Sequence, residues 1–222
     1  MNRDVISDWT GQEPFCLLPR GRSLKGLQAA AERVRFSPGE TLFREGEGAD
    51  RLWLVGSGWV RLQRAVPGGP LLALDIVTAR DWFCGLNAFF GGRYIATAVA
   101  ARPVEGVALP ASLLKPLMRT HLSLAVFVAG KLALRYRRAN EAYGMAFAPV
   151  EQRVASVLLR LEEDFGPVLP VTRREVAELA GIAVETAIRV TGSFQRGGLI
   201  RTGRGRVELL SRAALLDKVS GS

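Results

Sequence analysis

Glu185 and Arg189 stand four residues apart in the stretch VTRREVAELAGIAVETAIRVTGSFQRGGLI, Val171–Ile200. On a helix that spacing sets a carboxylate and a guanidinium side by side on one face. Two kinds of chemistry are open to such a pair. One is a surface ion pair, worth about 0.3–0.5 kcal/mol. The other is hydrogen bonding to base edges: arginine donates twice to guanine, and glutamate accepts from the cytosine amino group. The surrounding residues favour the second. Thr172 and Glu175 form a capping box at the start of one helix, where hydroxyl and carboxylate each satisfy a backbone N–H. Val176, Leu179 and Ala180 repeat at helical spacing, and Gly181 stops that helix. Ala187, Val190, Thr191 and Phe194 fall at i, i+3, i+4 and i+7, so a second helix has one buried stripe. Val184, Glu185, Ile188 and Arg189 are left on its other face. Helix, tight turn and second helix make a helix-turn-helix, and the expectation is that the second helix reads DNA.

Beyond it, Ile200–Thr202 and Val207–Leu210 read as two short strands around Gly203-Arg204-Gly205-Arg206, a β-hairpin wing. Arg204 and Arg206 at the tip, with Arg201, suit phosphate contact because they are cationic and exposed. A single arginine there would be an ordinary surface charge; three on one wing beside a helix-turn-helix point to DNA.

The elements that must position these groups come earlier in the chain. Its 222 residues, 48% hydrophobic, are ample for one or two packed domains. A net charge of +9 and a pI near 10.5 favour a polyanionic partner, nucleic acid before a membrane surface. Cys16 and Cys84 make neither a disulfide framework nor, with one histidine in the chain, a zinc site. The N-terminus lacks the apolar core of a signal peptide, and the longest uncharged apolar run, Leu122–Gly130, is far too short to span a bilayer. The expected location is the cytoplasm.

Residues 1–23 read as an arm, with a short helix around Leu24–Ala31. Over residues 24–110 short β-rich pieces (Thr41–Arg44, Arg51–Val55, Trp59–Ala65, Leu71–Val77, Ala96–Ala101, Val104–Leu109) alternate with turn signals such as Pro38-Gly39, Gly56–Gly58 and Pro67–Gly69. That spacing predicts an antiparallel jelly roll. Residues 111–148 are helical: Ala111–Met118, then Leu122 to Phe147. Leu122, Ala129, Tyr136 and Tyr143 lie seven apart; Val126, Ala133, Asn140 and Phe147 repeat four later, an a/d seam with small residues that permit close approach. A helix about 40 Å long cannot bury that stripe on one small sandwich, so it is read as a dimer helix. The neighbouring Arg135, Arg137 and Arg138 read as a solvated face, with Arg138 able to turn to a ligand pocket. Phe147-Ala148-Pro149 marks a hinge, and residues 149–222 form the DNA-binding domain. Val150, Val154, Val157, Leu158 and Leu161 open it with an amphipathic helix.

In the order PGETLFREGE (Pro38–Glu47), RLWLVGSGWVRL (Arg51–Leu62), MAFAPVEQRVASVLLRL, VTRREVAELAGIAVETAIRV and GGLIRTGRGRVELLSRAAL, the chain from about Val34 onward resembles the Crp/Fnr superfamily of bacterial transcription regulators. The resemblance implies an α+β fold: a jelly-roll effector domain, a long dimerisation helix and a C-terminal winged helix-turn-helix domain. It implies a homodimer on palindromic DNA, with RNA polymerase as a further partner. It places Glu185 and Arg189 on a TGA-containing half-site, and Thr172 and Arg173 where the family touches phosphate. The family's other recognition arginine is replaced by Val184, while Val184 or Ile188 suits a thymine methyl; half-sites are therefore expected to keep a GA core and differ outside it.

The effector end departs from the family. Its cyclic-nucleotide-binding members use a glutamate for the ribose and an arginine–serine pair for the phosphate. Here Tyr94 and Ile95 stand at the pair, and Cys84, Gly85 or Leu86 at the glutamate. Arg93 is one residue away, on the opposite face of a strand. Arg138 stands where the family offers the adenine a hydroxyl. A buried phosphate needs charge-assisted partners, which tyrosine and isoleucine do not supply, so cyclic AMP binding in the usual mode is not expected. The segment Asp81–Cys84 resembles that of the family's haem-containing carbon-monoxide sensor, but Leu86 replaces the histidine that follows; Cys84 is read as a small buried hydrophobe and no cofactor is expected. Two cysteines cannot hold an iron–sulfur cluster. A metal-dependent jelly-roll enzyme would need several histidines inside the barrel, whereas His121 alone is present, at the start of the dimer helix. The loop expected at Glu162–Val168 is short and acidic, so the polymerase contact of relatives is not carried over to it.

Overall fold

The computed structural model describes residues 22–65, 71–83 and 85–221. The arm up to residue 21, the turn at 67–69 and Cys84 lie outside the described residues. Two compact units form: the described parts of Met1–Arg64 with Asp75–Arg137, and of Ala65–Leu74 with Arg138–Ser222.

The chain begins with α1 (Arg22–Ala30) and runs through β1 (Glu32–Phe36), β2 (Thr41–Phe43), β3 (Arg51–Ser57), β4 (Trp59–Ala65), β5 (Leu71–Thr78), β6 (Trp82–Phe83), α2 (Gly85–Phe90), β7 (Thr97–Ala100) and β8 (Val104–Pro110). Two four-stranded sheets result, in the orders β1-β8-β3-β6 and β2-β7-β4-β5, joined by antiparallel pairings. The expected jelly-roll strands are present within a residue or two. Neither β1 nor β6 was legible in the sequence. ERVRF carries three charges and sits at the sheet edge, where half-exposed strands tolerate them, and β6 has two residues.

Strand β3 is buried on both faces over Leu52–Val55. Trp53 and Val55 face the space between the sheets with Phe43, Val60, Phe83, Tyr94 and Ala98. Leu52 and Leu54 face the other way, onto Leu27 of α1, Phe89 of α2, and Leu114 and Leu124 beyond. Both faces are covered, so the strand reads as a continuous apolar run. Between β3 and β4, Gly58 turns the chain at φ +75°, and a Cβ there would meet the Pro103 carbonyl oxygen at 2.0 Å.

Helix α3 (Ala111–Thr120) meets α4 (Leu122–Gly144) at a bend of 117° at His121. Helix α4 stops at Gly144, short of the expected Phe147, and residues 145–148 turn before Pro149 caps the next helix. Leu124 is buried, with Phe127 and Val128 partly buried beside it, against the barrel core. The seam residues Leu122, Val126, Ala129, Ala133, Tyr136, Asn140 and Tyr143 are all exposed. No single described helix is long and apolar enough to cross a membrane.

The arginine cluster is not the solvated face expected from its sequence. Arg135 pairs with Asp75 at 2.5 Å and Asp81 at 3.0 Å and donates to the Trp82 carbonyl; Lys131 pairs with Asp81 at 2.8 Å. In the other unit Arg138 is buried and pairs with Asp164 at 2.7 Å. Arg137 is exposed. The acids that capture these cations lie 60 and 26 positions away, beyond the reach of a local pattern.

The second unit is built on α5 (Val150–Phe165), whose stripe of Val154, Ala155, Leu158 and Leu161 is fully buried. Then come β9 (Val168–Leu169), α6 (Arg173–Ala180), α7 (Val184–Arg196), β10 (Ile200–Gly203), β11 (Arg206–Leu209) and α8 (Arg212–Ser220), with a three-stranded sheet in the order β10-β11-β9. The loop expected at Glu162–Val168 is a correction: Glu162–Phe165 is the last turn of α5, and Val168 starts β9. Helix α8 was not foreseen. Ser211 caps it, Leu215 anchors it, and Arg212 pairs with Glu162 at 3.0 Å.

Candidate nucleic-acid interface

Thr172 caps α6 as the sequence requires. Its hydroxyl accepts from the Glu175 N–H at 3.2 Å, and Glu175 Oε2 accepts from the Thr172 N–H at 2.6 Å and its hydroxyl at 2.9 Å. Both Thr172 donors are thus committed to Glu175. Gly181 then takes the left-handed conformation at φ +61°, ending α6. Arg153 of α5 secures this turn: its Nη2 donates to the Ala180 carbonyl and, at 2.9 Å, to that of Gly181. A cation at a helix C-terminus satisfies orphan carbonyls and complements the dipole. A Cβ at Gly181 would lie 2.9 Å from that guanidinium, so glycine serves both the turn and the clamp.

Helix α7 leaves this turn with Ala187, Val190, Thr191 and Phe194 buried, the stripe the spacing predicts. Thr191 keeps its buried hydroxyl hydrogen-bonded by donating to the Ala187 carbonyl at 2.7 Å. On the outer face Glu185 and Arg189 are exposed, Ile188 is 46% exposed and Val184 half-buried. Among the described residues no ion pair joins Glu185 to Arg189. Both are left to face solvent beside an apolar patch.

The wing and the start of α6 form an open cavity of about 350 Å³, lined by Val171–Arg173 and Thr202–Val207. Arg173, Arg204 and Arg206 all line it, with Thr172. Arg201 does not. Strand alternation turns it to the opposite face from Thr202, where it pairs with Glu208, its partner in the register, at 3.1 Å. Of the three wing arginines, two therefore belong to the cavity. Three further residues support the site and escaped sequence reasoning: Arg153 at the turn, and Gln195 and Thr202, joined by hydrogen bonds between α7 and β10. Hairpin alternation singles out Thr202 as inward-facing; nothing local marks Arg153 or Gln195.

Of the effector-pocket candidates, Cys84 lies outside the described residues, and Arg93, Tyr94 and Ile95 are placed differently from one another. Tyr94 is buried, its ring stacked on Phe43 with centroids 3.8 Å apart, and its hydroxyl accepts from Trp53 Nε1 at 3.2 Å. Ile95, next to it, is 69% exposed. Arg93 is exposed and bridges to Gly48 rather than standing within a strand; it donates to the Gly46 carbonyl at 2.6 Å. Arg138 is held by Asp164 in the other unit. Tyr94, Arg93 and Arg138 each have a partner far away in sequence. Among the described residues no group of three or more His, Cys, Asp or Glu side chains is placed to hold a metal ion.

Comparison with known proteins agrees with this division of the chain. Residues 33–121 match the cyclic nucleotide-binding domain and residues 152–218 the Crp-like helix-turn-helix domain. The chain is 33% identical over 191 residues to the cyclic AMP receptor protein of Thermus thermophilus, covering 85% of this chain and 88% of that protein. It is 30% identical over 205 residues to the CRP-like cAMP-activated global transcriptional regulator of Mycobacterium tuberculosis, covering 88% and 91%. Among solved structures it is similar to a CRP-family transcriptional regulator of Thermus thermophilus, with a TM-score of 0.70, 29% identity, and coverage of 85% of this chain and 97% of that one. A barrel of the cyclic-nucleotide-binding kind followed by a Crp-like helix-turn-helix defines a DNA-binding transcription regulator. The chain belongs to the Crp/Fnr family.

Proposed function

We propose that this regulator binds palindromic duplex DNA as a homodimer, with half-sites that keep a GA core and differ outside it. The observation that carries the reading is the outer face of α7: Glu185 and Arg189, exposed, adjacent and not paired with each other, beside Ile188. Arg189 is suited to guanine, Glu185 to the cytosine amino group, and Ile188 or Val184 to a thymine methyl. Arg173, Arg204 and Arg206 around the cavity under the wing supply phosphate contacts that fix register without reading sequence. The exposed seam from Leu122 to Tyr143 supports the homodimer, since apolar side chains in heptad spacing gain burial only from a second helix. Selection of bound duplexes from a random pool at fixed salt tests this. Inverted repeats with GA in each half are expected; a single asymmetric site, or no enrichment, contradicts it. RNA polymerase is the expected second partner at a promoter, tested by transcription with purified polymerase.

The names of two relatives raise cyclic AMP as effector. The residues here favour a different answer, an effector other than a cyclic nucleotide in the family's usual mode, or none. Tyr94 and Ile95 carry no charge for a phosphate, and the Tyr94 ring fills the core between the sheets with Phe43, Trp53 and Phe83. That filled core also favours a second reading, DNA binding independent of any effector. Neither cyclic AMP nor cyclic GMP is expected to raise the melting temperature; clear stabilisation by either contradicts this.

A further inference from the structure

We propose that Gln195 is a positioning residue for phosphate contact, acting through Thr202 to hold Arg173 in place. The proposal rests on the DNA-binding reading above and adds the device that prepares its phosphate cavity. Gln195 lies in the last turn of α7, exposed, on the side of the helix that carries Ile188 seven residues earlier. Its side-chain oxygen accepts twice from β10, from the Thr202 N–H at 3.0 Å and from the Thr202 hydroxyl at 2.5 Å. The hydroxyl has one proton, and Gln195 takes it. Its lone pairs are then fixed as acceptors, and Arg173 Nη2 donates to that oxygen at 2.6 Å.

The chain of bonds has one direction: guanidinium to hydroxyl, hydroxyl to amide oxygen. It joins the recognition helix, the wing and the start of α6, three elements with no other shared polar link among these residues. Arg173 uses one of its five N–H donors on Thr202 and keeps the others for an anion in the cavity that it lines with Arg204 and Arg206. An arginine held before the ligand arrives loses less freedom on binding than one that must be ordered then. Without the Gln195 oxygen the Thr202 hydroxyl can turn its proton toward Arg173, where it repels a donor. An exposed glutamine at the end of a recognition helix thereby acts on phosphate affinity without touching phosphate.

The salt dependence of duplex binding reads this out, because each phosphate contact contributes about 0.9 to the slope of log affinity against log salt. The full chain is titrated with the duplex that the wild-type protein selects from a random pool, from about 50 to about 200 mM salt. For Arg173→Ala the loss of affinity across that range becomes about 3.5-fold smaller per contact removed. Gln195→Ala and Thr202→Val are expected to reproduce this flattening and to add nothing when combined with Arg173→Ala. Thr202→Ser, which keeps the hydroxyl, should retain the wild-type slope. Thermal melts confirm that each variant is folded; if Gln195→Ala is not, the Thr202→Val and Thr202→Ser pair decides. A wild-type slope for Gln195→Ala or for Thr202→Val, or a loss additive with Arg173→Ala, overturns the proposal while the DNA-binding reading stands. A wild-type slope for Arg173→Ala overturns it too. Wild-type protein that retains no duplex overturns both.

Discussion

The two halves of this chain treat their polar chemistry in opposite ways. In the barrel, the Trp53 indole donates to the Tyr94 hydroxyl inside a cluster of aromatic rings, and Asp75, Asp81, Lys131 and Arg135 neutralise one another at the middle of α4. In the winged unit, Glu185 and Arg189 are displayed to solvent, and Arg173, Arg204 and Arg206 surround an open cavity. Internal satisfaction makes a stable scaffold. Displayed, unpaired groups are what a macromolecular partner must meet. The contrast teaches that ligand chemistry lives in a few residues rather than in the fold, and of those at this barrel's pocket positions Tyr94 lies in the core while Ile95 is exposed.

Substitutions sharpen the contrast by separating stability from recognition. Trp53→Ala has the largest expected effect: it leaves a cavity in the ring cluster and costs about 3–5 kcal/mol in urea unfolding. Folded Trp53→Ala protein should select the same duplexes as wild type; altered selection would break the division. Next is Arg189→Ala, expected to cost about 1–3 kcal/mol of discrimination at one guanine while stability stays within about 0.5 kcal/mol. A large drop in its melting temperature would mean that Arg189 is structural. Thr172→Ala removes the capping box and should destabilise the winged unit by about 1 kcal/mol. Smallest is Arg201→Ala. Its partner is Glu208 on an exposed face, so stability should fall by less than about 1 kcal/mol and the salt slope of DNA binding should not move. A flatter slope would return Arg201 to the phosphate contacts.

What the sequence made legible follows the same line. The capping box, the Gly181 stop, the buried stripe of α7 and the hairpin around Gly205 are set by residues within a turn or two of each other, and periodicity or turn chemistry exposes them. The helical period of α4 was readable for the same reason. The barrel partners were not: Trp53 and Tyr94 are 41 positions apart, Arg135 and Asp75 60, and only the folded topology brings them together. Arg138, read as part of a solvated face, is instead buried on Asp164 at the end of α5, 26 positions away. Counting charges on the hairpin did not show that Arg201 takes the opposite strand face from Thr202, beside Glu208.

The central claim is that the outer face of α7 reads bases through Glu185 and Arg189. The most direct test compares the base preferences of wild-type protein and Glu185→Ala, each selected from the same random duplex pool at the same salt. The account predicts an inverted repeat for both, with preference relaxed in the variant at one base pair of each half-site and kept elsewhere. Identical preferences at every position would contradict it.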